Sequence, residues 1–205
     1  MLLLDEPFGS LDARTRRELR NDVREILNHQ NTASILVTHD PEEAMEMGDK
    51  IVYLQEGRIV QSGTAATFYD APLTAEVART FSMANVIDGV IEGDRVQSAF
   101  GDWPLDCLRN ASAPAGVARL AVRPEDLIVT RQESTAKGAV VVDRRRAGPD
   151  IVLSGRTDSG QRWVTRLNGS NGPQIGEAVS LAPVRGSVMA FPPDFNSVQS
   201  SQAAR

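Results

Sequence analysis

Cysteine, histidine and lysine are scarce in these 205 residues, with one, two and two of them respectively. Cys107 has no partner for an internal disulfide, and with only His29 and His39 beside it no Cys/His zinc site can be assembled. Lys50 and Lys137 stand among 22 basic residues, so the cationic charge is almost all arginine. A net charge of −5 and a pI near 5.1 leave no basic excess for a phosphate backbone, which argues against nucleic acid as a partner. No unbroken apolar run reaches bilayer length, and the amino end, MLLLDEPF, turns acidic after four residues without the basic start of a secretory signal. The expected location is therefore the cytosol, with any membrane contact made through a partner. What is present, 41% apolar and 24% charged residues, suits a globular chain of one large or two small domains.

The first third alternates short apolar runs with amphipathic stretches, the pattern of a parallel sheet covered by helices. Residues 1–4 read as a buried-type strand and residues 34–38, SILVT, as the next. Between them, residues 12–30 put Leu19, Val23, Ile26 and Leu27 on one helical face, with Arg16, Arg17, Arg20 and Arg24 mostly away from it. That spacing predicts a surface helix packed on a sheet. Asp40 suits the N-cap of a helix running to about Met47, with Pro41 at its first position, Glu42 and Glu43 in its first turn and Gly48 at its end. Residues 50–61 predict two strands around Glu56-Gly57, a tight hairpin. Two short helices follow, capped by Thr64 and Thr74 and separated by Pro72, the second with an apolar stripe of Val77, Ala78 and Phe81. Beyond about Ala84, helical periodicity gives way to short β-rich runs such as VIDGVI, GAVVV and RWVTRL, which predict a small antiparallel barrel or sandwich. This shift sets a boundary near residues 83–86, giving a first domain over 1–83, a β domain over 84–192 and a flexible tail over 193–205.

The chemistry concentrates at two strand ends. The apolar run LLL ends in Asp5 and Glu6, which puts carboxylates at the carboxyl edge of a parallel sheet, where open α/β folds bind ligands. In phosphoryl transfer one such acid holds Mg²⁺ through water while a neighbouring carboxylate orients and deprotonates the attacking water, and Asp5 and Glu6 fit those roles in that order. The second strand ends in Thr38, His39 and Asp40, bringing an imidazole to the same edge. Either end alone reads more readily as solvated loop residues; together on one sheet they form a constellation. In the β half, Arg123-Pro124-Glu125 reads as a turn with a solvated ion pair, Arg144-Arg145-Arg146 as a solvated hairpin face, and Trp103 and Trp163 as packing residues.

Taken in order, LLLDEP, SLD, VTHD and PEEAMEMGDKIVYLQEGRIVQSGT closely resemble the carboxyl-terminal half of an ABC transporter ATPase subunit, over about residues 1–83. By that resemblance the strand ending at Asp5 is the Walker B strand, with Asp5 on Mg²⁺ through water, and Glu6 is the catalytic carboxylate. Ser10-Leu11-Asp12 corresponds to the D-loop, with Asp12 touching the facing subunit, and His39 to the switch histidine. The segments SMANVIDGVIEGD and LAVRPEDLIV look like the TOBE domain appended to the ATPases of ABC importers, over about residues 85–192. The implied fold is α/β, a partial P-loop NTPase sheet with helices, followed by a small all-β, OB-like TOBE domain. The implied activity is ATP hydrolysis driving solute uptake, with ATP and Mg²⁺ as cofactors. A second ATPase subunit, membrane permease subunits and, indirectly, a solute-binding protein are the implied partners, and the chain would sit peripherally on the inner face of the cell membrane.

Two motifs of such ATPases do not occur in these 205 residues. There is no GxxxxGK[ST] loop, and Lys50 and Lys137 lie outside any Gly-rich loop. No LSGGQ-like loop precedes the Walker B-like strand; Leu153-Ser154-Gly155-Arg156 imitates one far downstream and is an accidental match. The expectation is a chain truncated at the Walker B strand that does not hydrolyse ATP by itself, and whose residues 1–83, with bare strand edges and apolar faces, fold poorly alone or associate. Two other arrangements stay open: a non-catalytic regulatory or solute-sensing TOBE module with a vestigial ATPase remnant, and a separate chain supplying the missing half. The resemblance leans towards an inorganic ion or a polyamine as the transported solute.

Overall fold

In a computed structural model, residues 1–193 are described except 10, 31, 110–114, 133–137 and 170, and the chain divides after Pro72 into two units, Met1–Pro72 and Leu73–Arg205. Ser10, Lys137 and the expected tail from residue 194 therefore lie outside the described residues. Strands outnumber helices among the described residues, which hold four α-helices and two short 3₁₀ helices.

In the first unit, β1 (Leu2–Asp5) and β2 (Ser34–Val37) pair in parallel, Leu2 opposite Ser34 and Asp5 opposite Val37, so the two strands end level at one edge. Parallel neighbours need a crossover, and α1 (Ala13–His29) provides it. The helix begins where the Asp12 carboxylate accepts the amide protons of Arg14 and Thr15, both at 3.1 Å. Its apolar stripe is only partly covered, because Leu19 and Ile26 are exposed, and its most buried described side chain is Arg20, 5% exposed. The expectation that Arg20 points away from the packed face is thus corrected. Acids of the next helix surround it and make burial tolerable.

That next helix, α2 (Pro41–Met47), starts where Asp40 accepts the Glu42 amide proton at 2.9 Å and ends at Gly48. A hairpin of β3 (Ile51–Gln55) and β4 (Arg58–Gly63) follows, turning through Glu56 and Gly57 at φ 50° and 74°, the left-handed pair that a two-residue hairpin turn requires. Then comes α3 (Ala65–Asp70), capped by Thr64. Of the parallel sheet expected here, the described residues contain the β1–β2 pair alone, and its apolar side chains are poorly covered, with Leu3 65% exposed.

The second unit opens with α4 (Ala75–Ser82), capped by Thr74 and ended by Met83 in the left-handed region. Ala75 and Ala78 of this helix, with Ala84, pack against Val86, Ala121 and Met189. The helix therefore belongs to the β unit, ahead of the boundary at 83–86 that the change of periodicity suggests. Ten strands follow: β5 (Asn85–Glu92), β6 (Arg95–Ser98), β7 (Gly101–Pro104), β8 (Gly116–Val122), β9 (Leu127–Arg131), β10 (Ala139–Ala147), β11 (Asp150–Thr157), β12 (Arg162–Asn168), β13 (Ala178–Pro183) and β14 (Met189–Phe191). They form two five-stranded antiparallel sheets, ordered β14-β8-β5-β6-β7 and β12-β11-β10-β13-β9. An OB-type barrel has five strands, so the OB-like expectation holds only in the coarser sense of an all-antiparallel β unit.

One core joins the two sheets, with Ile87, Leu120 and Trp103 from the first and Leu153, Val179 and Trp163 from the second. Trp103 Nε1–H donates to the Leu181 carbonyl at 3.2 Å. The Asn85 amide donates to the carbonyls of Val122 and Val164 at 3.1 and 2.8 Å and accepts the Val164 amide proton at 2.7 Å. Both tryptophans are thus core residues. Arg123 is buried, which corrects the expected solvated pair at 123–125, while Arg145 and Arg146 are exposed and Arg145 pairs with Asp143 at 2.9 Å. No helix among the described residues is long and apolar enough to cross a membrane.

Candidate functional site

The site is built by the level ends of β1 and β2. One residue beyond the ladder, Glu6 N–H still donates to the Val37 carbonyl at 2.9 Å, and the backbone then turns sharply, with Glu6 at φ 47°. A left-handed conformation is uncommon for a residue other than glycine and costs of order 1 kcal/mol or more. It leaves the Glu6 carboxylate beside the end of β2. There Glu6 Oε1 accepts the His39 amide proton at 3.0 Å and lies 2.8 Å from His39 Nδ1. A carboxylate accepts only, so Nδ1 carries the proton in this contact.

The His39 side chain is 82% exposed. Its pKa is raised above the ordinary 6.5, first by the hydrogen bond to Glu6, then by the charge of Glu6; burial opposes the shift, and the charges of Asp40 and Glu43 add less to it. Asp5, also exposed, has no side-chain partner among the described residues. Asp12 is occupied by its own helix: besides the two amides, Thr15 Oγ1–H donates to it at 2.7 Å, and that hydroxyl leads in holding its carboxyl below the ordinary 3.8. Glu6 and His39 are therefore brought into contact, Asp5 is their neighbour at the same edge, and Asp12 stands at the start of α1 without a hydrogen bond to them.

A network that sequence reasoning did not single out lies behind His39. Thr38 Oγ1–H donates to Glu43 Oε2 at 2.7 Å, and the same hydroxyl accepts the Asp40 amide proton at 3.0 Å. Arg20 Nη2 bridges Asp40 and Glu43 at 3.1 Å each, and Nη1 reaches Glu46 at 3.0 Å. Burial works against the charge of Arg20, but the bonds to Glu46 and Glu43 outweigh it and its pKa is raised. Arg20 and Glu43 are 23 positions apart, so no local pattern announces the pair.

Chemically, a carboxylate that fixes one imidazole nitrogen leaves the other available to orient or take a proton at the sheet edge. No group of three or more His, Cys, Asp or Glu among the described residues forms a metal cage of its own. A lone exposed carboxylate such as Asp5 does fit Mg²⁺, which keeps several waters and uses one or two protein acids.

Residues 120–191 match the TOBE domain family. The sulfate/thiosulfate import ATP-binding protein CysA of Burkholderia mallei is 39% identical over 149 residues, 73% of this chain and 41% of that protein. Its namesake in Caulobacter vibrioides is 33% identical over 191 residues, 93% of this chain and 54% of that protein. The Fe(3+) ions import ATP-binding protein FbpC 2 of Rhodococcus jostii is 32% identical over 196 residues, 93% of this chain and 55% of that protein. Among solved structures, the molybdate-bound cytoplasmic protein ModG matches at a TM-score of 0.41 and 14% identity, over 53% of this chain and 96% of that one, a likeness too loose to bear on fold or ligand. The second unit thus carries a TOBE domain. The chain belongs to the ABC transporter ATPases with a C-terminal TOBE domain, and it spans about half the length of the curated relatives it matches.

Proposed function

We propose that these residues are the carboxyl-terminal part of an ATP-binding subunit that energises solute import, with Asp5, Glu6 and His39 forming the hydrolytic edge of its nucleotide site. The observation that carries this reading is the contact between Glu6 and His39 at the level ends of two parallel strands. Bound Mg²⁺ and ATP would supply a γ-phosphoryl group open to attack by water. Asp5 would hold the metal side through water, Glu6 would take the proton of the attacking water, and His39, fixed through Nδ1, would present Nε2 to the terminal phosphate or to that water. Glu6 therefore has two duties, as base and as anchor of the imidazole. Asp12, at the start of α1, would face a second copy of the subunit.

The metal and water side fits the side chains present, but the triphosphate cradle does not lie within residues 1–205, which lack GxxxxGK[ST]. Two adjacent carboxylates repel a polyanion that nothing else holds. The 205 residues alone are therefore proposed not to hydrolyse ATP, and the cradle must come from other residues, on the same polypeptide or another. The subunit would sit at the cytoplasmic face of the membrane against permease subunits, and a solute-binding protein would be an indirect partner through them. The transported solute is proposed to be an inorganic ion, in keeping with relatives named for sulfate/thiosulfate and ferric iron.

A chimera tests this, with the matching part of the Caulobacter relative replaced by residues 1–205. Its ATPase activity is expected to fall about 10²- to 10⁴-fold in Glu6→Gln and in His39→Ala. Activity indifferent to both substitutions, or micromolar ATP binding and turnover by residues 1–205 alone, would overturn the reading.

A further inference from the structure

We propose that Arg20, Thr38 and Glu43 are positioning residues for His39, holding the strand end that presents its imidazole to Glu6; the inference rests on the reading of His39 above. His39 is 82% exposed, so packing cannot orient it. Its two chain neighbours are held instead. The Thr38 hydroxyl is at once donor to Glu43 Oε2 at 2.7 Å and acceptor of the Asp40 amide proton at 3.0 Å, and so closes the turn around His39 from within. Asp40 is pinned a second time, by Arg20 Nη2 at 3.1 Å, and the same nitrogen holds Glu43. Arg20 and Glu43 are 5% and 3% exposed, which separates this cluster from the solvated pairs that contribute little elsewhere on the chain. A planar fork that reaches three carboxylates is also something lysine cannot reproduce. The cluster ties α1 and α2 to the end of β2, and His39 lies between its two anchored residues.

The test is the His39 backbone amide, observed by NMR in the whole 205-residue chain. Thr38→Val removes the hydroxyl and keeps the shape, Thr38→Ser restores the hydroxyl, and Arg20→Lys keeps the charge but loses the fork. In Thr38→Val and Arg20→Lys the His39 amide proton is expected to lose the downfield shift of its bond to Glu6 and to exchange about tenfold faster. In Thr38→Ser it stays as in the parent, and the amides of the β3–β4 hairpin stay unchanged throughout. An unchanged His39 amide in either variant overturns the proposal. So does a loss of protection shared equally by the hairpin, or a Thr38→Ser chain that behaves like Thr38→Val. Should Arg20→Lys fail to fold, the two Thr38 variants decide alone. No nucleotide is involved, so a chimera indifferent to His39→Ala would end the catalytic reading without altering this result, and an overturned network would leave that reading standing.

Discussion

Adding a single methyl group at Gly155 should unseat the core of the TOBE unit. Gly155 lies on β11 between Val141 of β10 and Trp163 of β12. A Cβ there would stand 2.0 Å from the Val140 carbonyl oxygen and 2.4 and 2.7 Å from two ring atoms of Trp163. The oxygen belongs to the backbone of a paired strand, and the ring is fully buried, so neither can step aside cheaply. Overpacking a core costs about 1–3 kcal/mol in general, and expelling a buried aromatic about 3–5 kcal/mol. Gly155→Ala should therefore sit at the top of the first range, about 3 kcal/mol. The assay is urea unfolding followed by tryptophan emission, because Trp103 and Trp163 both lie in the second unit and report on it alone. With a slope of about 1–3 kcal/mol per molar urea, the midpoint should fall by about 1–3 M. Ser154→Ala, at the neighbouring half-buried position, should shift stability by no more than about 0.5 kcal/mol. A Gly155→Ala midpoint within about 0.3 M of the parent would refute the packing argument. The same geometry accounts for Leu153-Ser154-Gly155-Arg156: its glycine makes room for an indole and a strand, and needs no nucleotide to explain it.

Two further outcomes follow from the titrating groups. His39 should titrate above 6.5 by NMR, and Glu6→Gln should bring it back towards that value, because the hydrogen bond and the charge of Glu6 are the two largest causes of the shift. Because the fold favours the charged imidazole, its contribution to the first unit is full below pH 6.5 and is lost as pH rises through the raised value; titration at or below 6.5 in the parent would contradict the Glu6 contact. Cys107 is buried, and burial, helped by the charge of Asp106, pushes its thiol from 9.0 up to about 11. Its thiolate fraction at pH 8 is then about a hundredfold below that of an unperturbed thiol, so an aromatic disulfide reagent should label it only on unfolding, and labelling of the native chain within minutes would show the site open.

Local chemistry was the legible part. Asp40-Pro41-Glu42, Glu56-Gly57 and Thr74 mark caps and a turn whose causes lie within four residues, and the structure has each of them in that role. That Asp5, Glu6 and His39 share one edge was legible too, because the strands before them pair in parallel and end level; the bond between Glu6 and His39 was not. Arg20 was not. It lies beside the apolar stripe of α1 and looks like one more surface arginine until Asp40, Glu43 and Glu46 are brought across from another helix. Arg123 misled as well, since nothing in Arg123-Pro124-Glu125 itself marks the arginine as buried. The pairing of β9 with β13, some fifty residues on, leaves no periodic trace in either, so the strands could be anticipated but not their order. Periodicity puts the boundary after α4 because it records what a segment is, not which neighbour it covers.

The union of α4 with the strands decides where this polypeptide can be divided without harm. Ala75 and Ala78 cover Ala84, Val86, Ala121 and Met189, so dividing the chain at residue 83 would strip that cover and wet an alanine-rich seam that is buried in the intact unit. A break beside Pro72 would instead keep α4 with the strands it packs on, which makes that short stretch the natural joint for moving the carboxyl-terminal module as one piece.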